Sequence, residues 1–199
     1  ILIEFDLSDT NVELIFKKLS NLSKLNVIFK KIFAIFLIDH TKTINQTFIH
    51  ITRLYNLIFD KIKFEYILIC PKIYLKSFQP TGNWPAVYPL EEYYNYAKSN
   101  FPDSKIVSGM VTNFTELNRK KPTGKFDVIS HSFTPIIHDS SDHALMETPE
   151  TIKHIIDTIK KFSNRSKIHI GPICIGMHHN PYGESLVENK NNTRIELTN

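Results

Sequence analysis

Glu116 and Asn118 lie in "FTELNRKKP", and His138, Asp139, Asp142, His143 and Glu147 crowd into "FTPIIHDSSDHALMET". His178, His179, Asn180 and Tyr182 end "IGPICIGMHHNPYG". Carboxylates and imidazoles move protons near neutral pH, while amides and phenols hold oxygen-rich ligands. Each candidate also has a structural reading. Glu116 suits a first helical turn through the helix dipole, and Asp139 suits an Asx-turn. Asp142 and Glu147 precede a helix, where capping groups belong. His131 ends an apolar run and reads equally well as a hydrogen-bonded core histidine. Imidazole and carboxylate are zinc ligands, yet no HExxH spacing occurs, and neighbouring residues such as His178 and His179 point to opposite sides of a strand. Neither a metal nor a cofactor is therefore expected. A Gly-x-Ser-x-Gly elbow is also missing, which argues against a serine hydrolase of the common type.

These groups follow apolar runs rather than precede them. Asp39 and His40 follow Phe33–Ile38; Lys76 and Ser77 follow Tyr66–Cys70; Asn113, Thr115, Glu116 and Asn118 follow Lys105–Met110. His131, Thr134, His138 and Asp142 follow the run within Asp127–Ser132, and the "MHHNPYG" group follows Lys167–Ile175. Helical patterns alternate with the runs. A Thr10–Glu13 capping box leads Val12, Ile15, Phe16, Leu19 and Leu22. A second pattern covers Phe48–Ile62, with an undefined start. Pro89 suits the first position of a third, which buries Leu90, Tyr93, Tyr94 and Ala97. Thr148-Pro149 caps and starts a fourth, striped by Ile152, Ile155, Ile156 and Ile159.

Strand–helix alternation implies a parallel sheet, either doubly wound or closed into an eight-fold barrel. No GxGxxG or GxxxxGK[ST] follows the first strand, which removes the usual support for a nucleotide fold. The expected fold is α/β, a (β/α)8 TIM-type barrel with about six of its eight strands, as one partial domain over 1–199. The opening strand "ILIEFDL" and the polar end "NKNNTRIELTN" make a piece of a longer protein the expectation. In such a barrel the loops after the strands share one face, so the crowded loop would feed a common polar pocket.

The 199 residues are 42% hydrophobic and 22% charged, which excludes a disordered chain. The net charge of +4 is spread over scattered lysines without interleaved aromatics, so no nucleic acid partner is expected. The run Ile32–Ile38 is far too short to cross a bilayer, so no membrane partner is expected. Cys70 and Cys174 lack CxxC spacing, and a reduced, cytoplasmic protein is the expectation. Oligomeric state is not legible.

"FTELNRKKP", "TPIIHDSSDHALMET" and "IGPICIGMHHNPYG", in that order, resemble the barrel domain of bacterial D-apionate lactonases, as do "YLKSFQPTGNWP" and "PLEEYYNYAKSNFP". The match is close from about Ile73 to Gly183. The resemblance implies a glycoside-hydrolase-like barrel that hydrolyses a branched-sugar lactone, D-apionolactone, to its acid in apiose breakdown. Matching positions are Glu116, Asn118, His138, Asp142, Glu147, Asn180 and Tyr182. The chain departs from the family pattern at Val107-Ser108-Gly109, where a Gly-Gly-Gly run is usual. It also has His178 in place of an arginine, and Pro149 in place of a leucine.

Lactone hydrolysis needs an activated water, an oxyanion stabiliser and a proton for the leaving hydroxyl. The catalytic candidates are Glu116 or His138 as base, with Asp142 orienting His138. The substrate-binding candidates are Asn113, Asn118, His131, Glu147, His178, Asn180 and Tyr182, and Tyr182 with Trp84 would wall the pocket. A glycosidase pairing Glu116 with Glu147 is the alternative. A non-catalytic carbohydrate-binding remnant is the third reading.

Overall fold

The computed structural model describes residues 1–7, 14–15, 17, 21, 31–58, 63–77, 83–139, 141–163, 166–176, 178–179 and 181–182. Its strands are β1 (Leu2–Asp6), β2 (Lys31–Ile38), β3 (Lys63–Pro71), β4 (Lys105–Asn113), β5 (Val128–Phe133) and β6 (Lys167–Ile173). The helices are α1 (Ile44–Ile58), α2 (Leu90–Asn100), α3 (Phe114–Arg119), α4 (Asp142–Glu147) and α5 (Thr151–Phe162). The sheet order is β1-β2-β3-β4-β5-β6. The β1–β2, β2–β3, β3–β4 and β5–β6 pairs are parallel. An order that never reverses is the barrel order, because a doubly wound sheet must turn back at a switch point.

The described chain forms two compact units. One holds Ile1–Ile73, Pro85–Ser108 and Thr123–Asp127; the other holds Tyr74–Trp84, Gly109–Pro122 and Val128–Asn199. In the first, alternate residues of β2 (Ile32, Ala34, Phe36 and Ile38) join Phe48, Ile51 and Leu54 of α1 and Tyr93, Tyr94 and Ala97 of α2 in the core. The intervening Phe33, Ile35 and Leu37 are buried too, and Phe33 lies 5.5 Å from the Tyr66 ring. Burial on both faces is what the unbroken apolar run of β2 required.

α1 begins at Ile44, earlier than its apolar stripe, because Thr43 and Gln46 form a capping box. Gln46 Oε1 accepts from the Thr43 N–H at 3.0 Å, and Gln46 N–H donates to Thr43 Oγ1 at 3.3 Å. Pro89 occupies the N-cap of α2 rather than its first turn, and its carbonyl accepts from Glu92 N at 3.0 Å. Apart from Leu14, Ile15, Lys17 and Asn21, the helix expected from the Thr10 capping box lies outside the described residues, as do 59–62. Among the described residues no helix is long and apolar enough to cross a membrane.

The hydroxyls of Tyr94 and Ser108 meet at 2.6 Å in the core of this unit. Tyr94→Phe strands the Ser108 hydroxyl away from water. It is expected to lower unfolding free energy by about 1–2 kcal/mol in urea titrations; an unchanged midpoint contradicts the bond.

Candidate functional site

β4 passes straight into α3. Asn113, in extended conformation, is the N-cap, and the Lys120 N–H closes the turn on the Glu116 carbonyl at 2.9 Å. Pro122 disfavours helix at Lys121, so the helix stays short. One turn is enough to put Glu116 and Arg119 on one face. Arg119 Nη1 donates to Glu116 Oε1 at 2.8 Å, and Ser77 Oγ donates to the same oxygen at 3.0 Å. The Ser77 N–H in turn donates to the Pro181 carbonyl at 2.7 Å, which brings Tyr182 to the cluster. Burial first, then the Glu116 charge, push the Tyr182 phenol above its ordinary pKa, and Arg119 offsets part of that. Tyr74 stands edge-on to Trp84 at 5.2 Å, with Lys120 Nζ 5.7 Å from its ring centre. All of these residues belong to the second unit.

The Glu116 side chain is 0% exposed. Its Oε2 has no hydrogen-bond partner among the described residues, and the same holds for Asn113 Nδ2, Thr112 Oγ1 and His131 Nε2. Buried polar atoms are nearly always paired, so an unpaired group at the ends of two neighbouring strands needs a reason.

His131 is fully buried against Phe114, with ring centres 5.6 Å apart. Its Nδ1 lies 2.7 Å from the Ser132 carbonyl, which only accepts, so Nδ1 carries the proton. In the neutral ring Nε2 is then a bare lone pair. Burial lowers the His131 pKa below 6.5, with the Ser132 bond offsetting part of this; burial also lowers that of His169. A depressed histidine takes up its proton more readily when unfolded. Its contribution is therefore complete above about pH 6.5 and is lost as pH falls toward the folded pKa. Resistance to thermal unfolding is expected to fall between pH 7.5 and 5.5, and His131→Gln to flatten that slope; an equal slope in the variant contradicts the neutral, buried ring.

The structure gathers Asn113, Glu116 and Tyr182 with Ser77 and Arg119, which sequence reasoning did not assign. Arg119 was signalled by its i+3 spacing from Glu116; Ser77 was noted among the residues that follow Tyr66–Cys70 but was given no role. Asn118 is exposed, as are His138, Asp142 and Glu147. His178 is half-buried with its ring 4.5 Å from that of His179, and Asn180 lies outside the described residues.

Local structure accounts for much of the crowded loop. Asp139 Oδ1 accepts from Ser141 N at 2.7 Å, Ser141 Oγ accepts from Ala144 N at 3.1 Å, and His143 Nε2 lies 3.0 Å from Glu147 Oε1. The helix expected to start at Thr148-Pro149 is thus preceded by α4, which Ser141 caps. Thr148–Glu150 forms a 3-10 turn before α5.

The family model described as "D-apionate lactonase, TIM barrel domain" matches residues 3–199. The chain belongs to the D-apionate lactonase TIM barrel family. A D-apionate lactonase of Brucella anthropi is 36% identical over 134 residues, which is 67% of this chain and 22% of that protein. The chain thus spans less than a quarter of this D-apionate lactonase. No solved structure matches it. The six described strands are those of an incomplete barrel of the D-apionate lactonase fold. Glu116 and Arg119 directly follow one of them, where barrel chemistry resides.

Proposed function

We propose that the protein carrying this domain hydrolyses a branched-sugar lactone, D-apionolactone, to its open-chain acid, with Glu116 as general base. One observation carries this reading: a buried carboxylate whose Oε1 is fixed by Ser77 and Arg119 and whose Oε2 has no described partner. In this reading Oε2 takes a proton from water, and the water oxygen bonds to the lactone carbonyl carbon. The tetrahedral intermediate then expels the ring oxygen, which receives the proton back from Glu116. The acid product loses its own proton to solvent.

Asn113 Nδ2, a donor, and His131 Nε2, an acceptor, suit the substrate's carbonyl and hydroxyl oxygens. Tyr182 and Trp84 offer faces for sugar C–H surfaces. In this reading His138 and Asp142, expected as catalytic groups, and Asn118, Glu147, His178 and Asn180, expected to bind substrate, are left with outer contacts. The glycosidase reading is less well supported, because Glu147 is exposed and pairs with His143, whereas Glu116 is buried with a cation. Free Cys70 and Cys174 suit action in the reducing cytoplasm.

The test is a proton NMR assay of the whole protein with D-apionolactone. Ring opening well above the spontaneous rate is expected. Binding without turnover would leave the carbohydrate-binding reading in its place, and turnover of aryl glycosides alone would leave the glycosidase.

A further inference from the structure

We propose that Arg119 is a catalytic residue as well as the partner of Glu116: it holds the negative oxygen that forms on the lactone carbonyl, and then the carboxylate of the product. The proposal rests on the lactone-opening reading and assigns a further role to a residue that reading uses only to fix Glu116.

Orientation of Glu116 does not by itself call for an arginine. Ser77 already donates to Oε1 at 3.0 Å, and it is itself held by the Pro181 carbonyl at 2.7 Å. Arg119 adds a second donor to that same oxygen, at 2.8 Å. A guanidinium carries five N–H donors in a rigid plane and keeps its charge at all working pH values. The contact to Glu116 uses Nη1, a further N–H serves the Tyr182 phenol, and the Arg119 side chain is 32% exposed where that of Glu116 is buried. Donors remain for a second anion, provided that one arises close by.

The charge count says when it does. At rest, Glu116 and Arg119 neutralise each other. When Oε2 accepts the water proton, Glu116 becomes neutral and Arg119 loses its counter-charge. In the same step the carbonyl oxygen takes up the electron pair displaced by the attacking water and becomes negative. The ion pair is exchanged rather than broken, so the site's net charge does not change while the barrier is crossed. On collapse the ring C–O bond breaks, its oxygen takes the Glu116 proton, and Glu116 is an anion again. Once the product acid has ionised, two carboxylates compete for one guanidinium. That repulsion favours product release. The Tyr182 phenol beside both partners is kept protonated by burial and by the Glu116 charge, so it stays a neutral donor in this exchange.

A residue that only positions Glu116 would affect turnover but not affinity for the open-chain acid. The whole protein is therefore assayed for D-apionolactone turnover and, by isothermal titration, for binding of the open-chain acid. Arg119→Gln should lower kcat by about 10²-fold or more and leave KM for the neutral lactone within about threefold. Acid binding should weaken by about tenfold or more, the loss expected for a charge-assisted bond. Arg119→Lys should recover part of the acid affinity. The double variant Glu116→Gln/Arg119→Gln leaves no buried charge unpaired, which guards against misfolding; it should bind acid as weakly as Arg119→Gln. Glu116→Gln alone should bind acid at least as tightly as the wild type, because the competing carboxylate is gone.

Unchanged acid affinity in Arg119→Gln overturns this proposal alone: with lowered turnover it leaves Arg119 a positioning residue, and with wild-type turnover it leaves Arg119 no part in the reaction. Parallel losses in KM and acid affinity overturn it too, because they mark general binding. Absence of lactone turnover in the wild type overturns the functional reading and this proposal with it.

Discussion

Glu116→Gln in the whole protein is expected to lower kcat for lactone opening by about 10²–10⁴-fold, the usual contribution of a positioned general base. The amide has nearly the shape of the carboxylate. Its oxygen can still accept from Ser77 Oγ and Arg119 Nη1, the two bonds that fix Glu116 Oε1 at 3.0 and 2.8 Å. What disappears is the basicity of Oε2, the atom without a described partner. KM should change little, because an interaction made mainly in the transition state appears in kcat. The variant loses a counter-charge next to Arg119, and that guanidinium is partly solvated, so the melting temperature should fall only modestly. Wild-type kcat in Glu116→Gln would remove Glu116 from the mechanism. An unfolded variant would instead mark the carboxylate as structural.

The second large effect is expected at Gly109, within β4. Its φ is +142°, a conformation that side chains rarely adopt. A Cβ there would stand 1.9 Å from the Ser130 carbonyl oxygen and 2.8 Å from Ser130 N and C. Those are backbone atoms of β5, so no side chain can rotate away, and the two strands would have to separate. Backbone strain and overpacking each cost about 1–3 kcal/mol, so Gly109→Ala is expected to lose about 2–6 kcal/mol in chemical denaturation. Turnover should fall with it, since Asn113 and Glu116 lie at the end of the displaced strand and His131 adjoins Ser130. Gly176→Ala is the control: a Cβ there meets no atom of the described residues within 4 Å, and stability should stay within about 0.5 kcal/mol. Equal midpoints for Gly109→Ala and wild type would contradict the close approach of these strands.

Much of the strand order was legible because burial leaves a direct mark on composition. β2 is apolar at every position from Ile32 to Ile38 since both of its faces are covered. Polar residues follow the strands rather than precede them, which is why chemistry was expected at one set of strand ends. The start of α1 was not legible from its stripe, because Thr43 and Gln46 set it through hydrogen bonds ahead of the apolar residues. α4 was missed because six residues are too few for a period to emerge.

The candidate site was legible only in part. Glu116 was visible as a carboxylate just after a strand, but its full burial depends on how distant segments pack. Ser77 stands 39 positions from Glu116, and no local pattern could pair them. The ionisable residues around His138 attracted attention by number. Several of them turn out to serve the turn and cap that build α4, which is what Asp, Ser and His–Glu spacings do in any exposed connection.

The most direct test of lactone opening by Glu116-activated water is one turnover in H₂¹⁸O, with the whole protein in excess over D-apionolactone and the acid read by mass spectrometry. The account predicts one ¹⁸O in the product carboxylate during that first turnover, and none in the hydroxyl released from the ring. Unlabelled first-turnover acid, with the label left on Glu116, would mean that the carboxylate itself attacks the carbonyl. Label in the released hydroxyl would mean that the other C–O bond breaks, and either result would contradict the account.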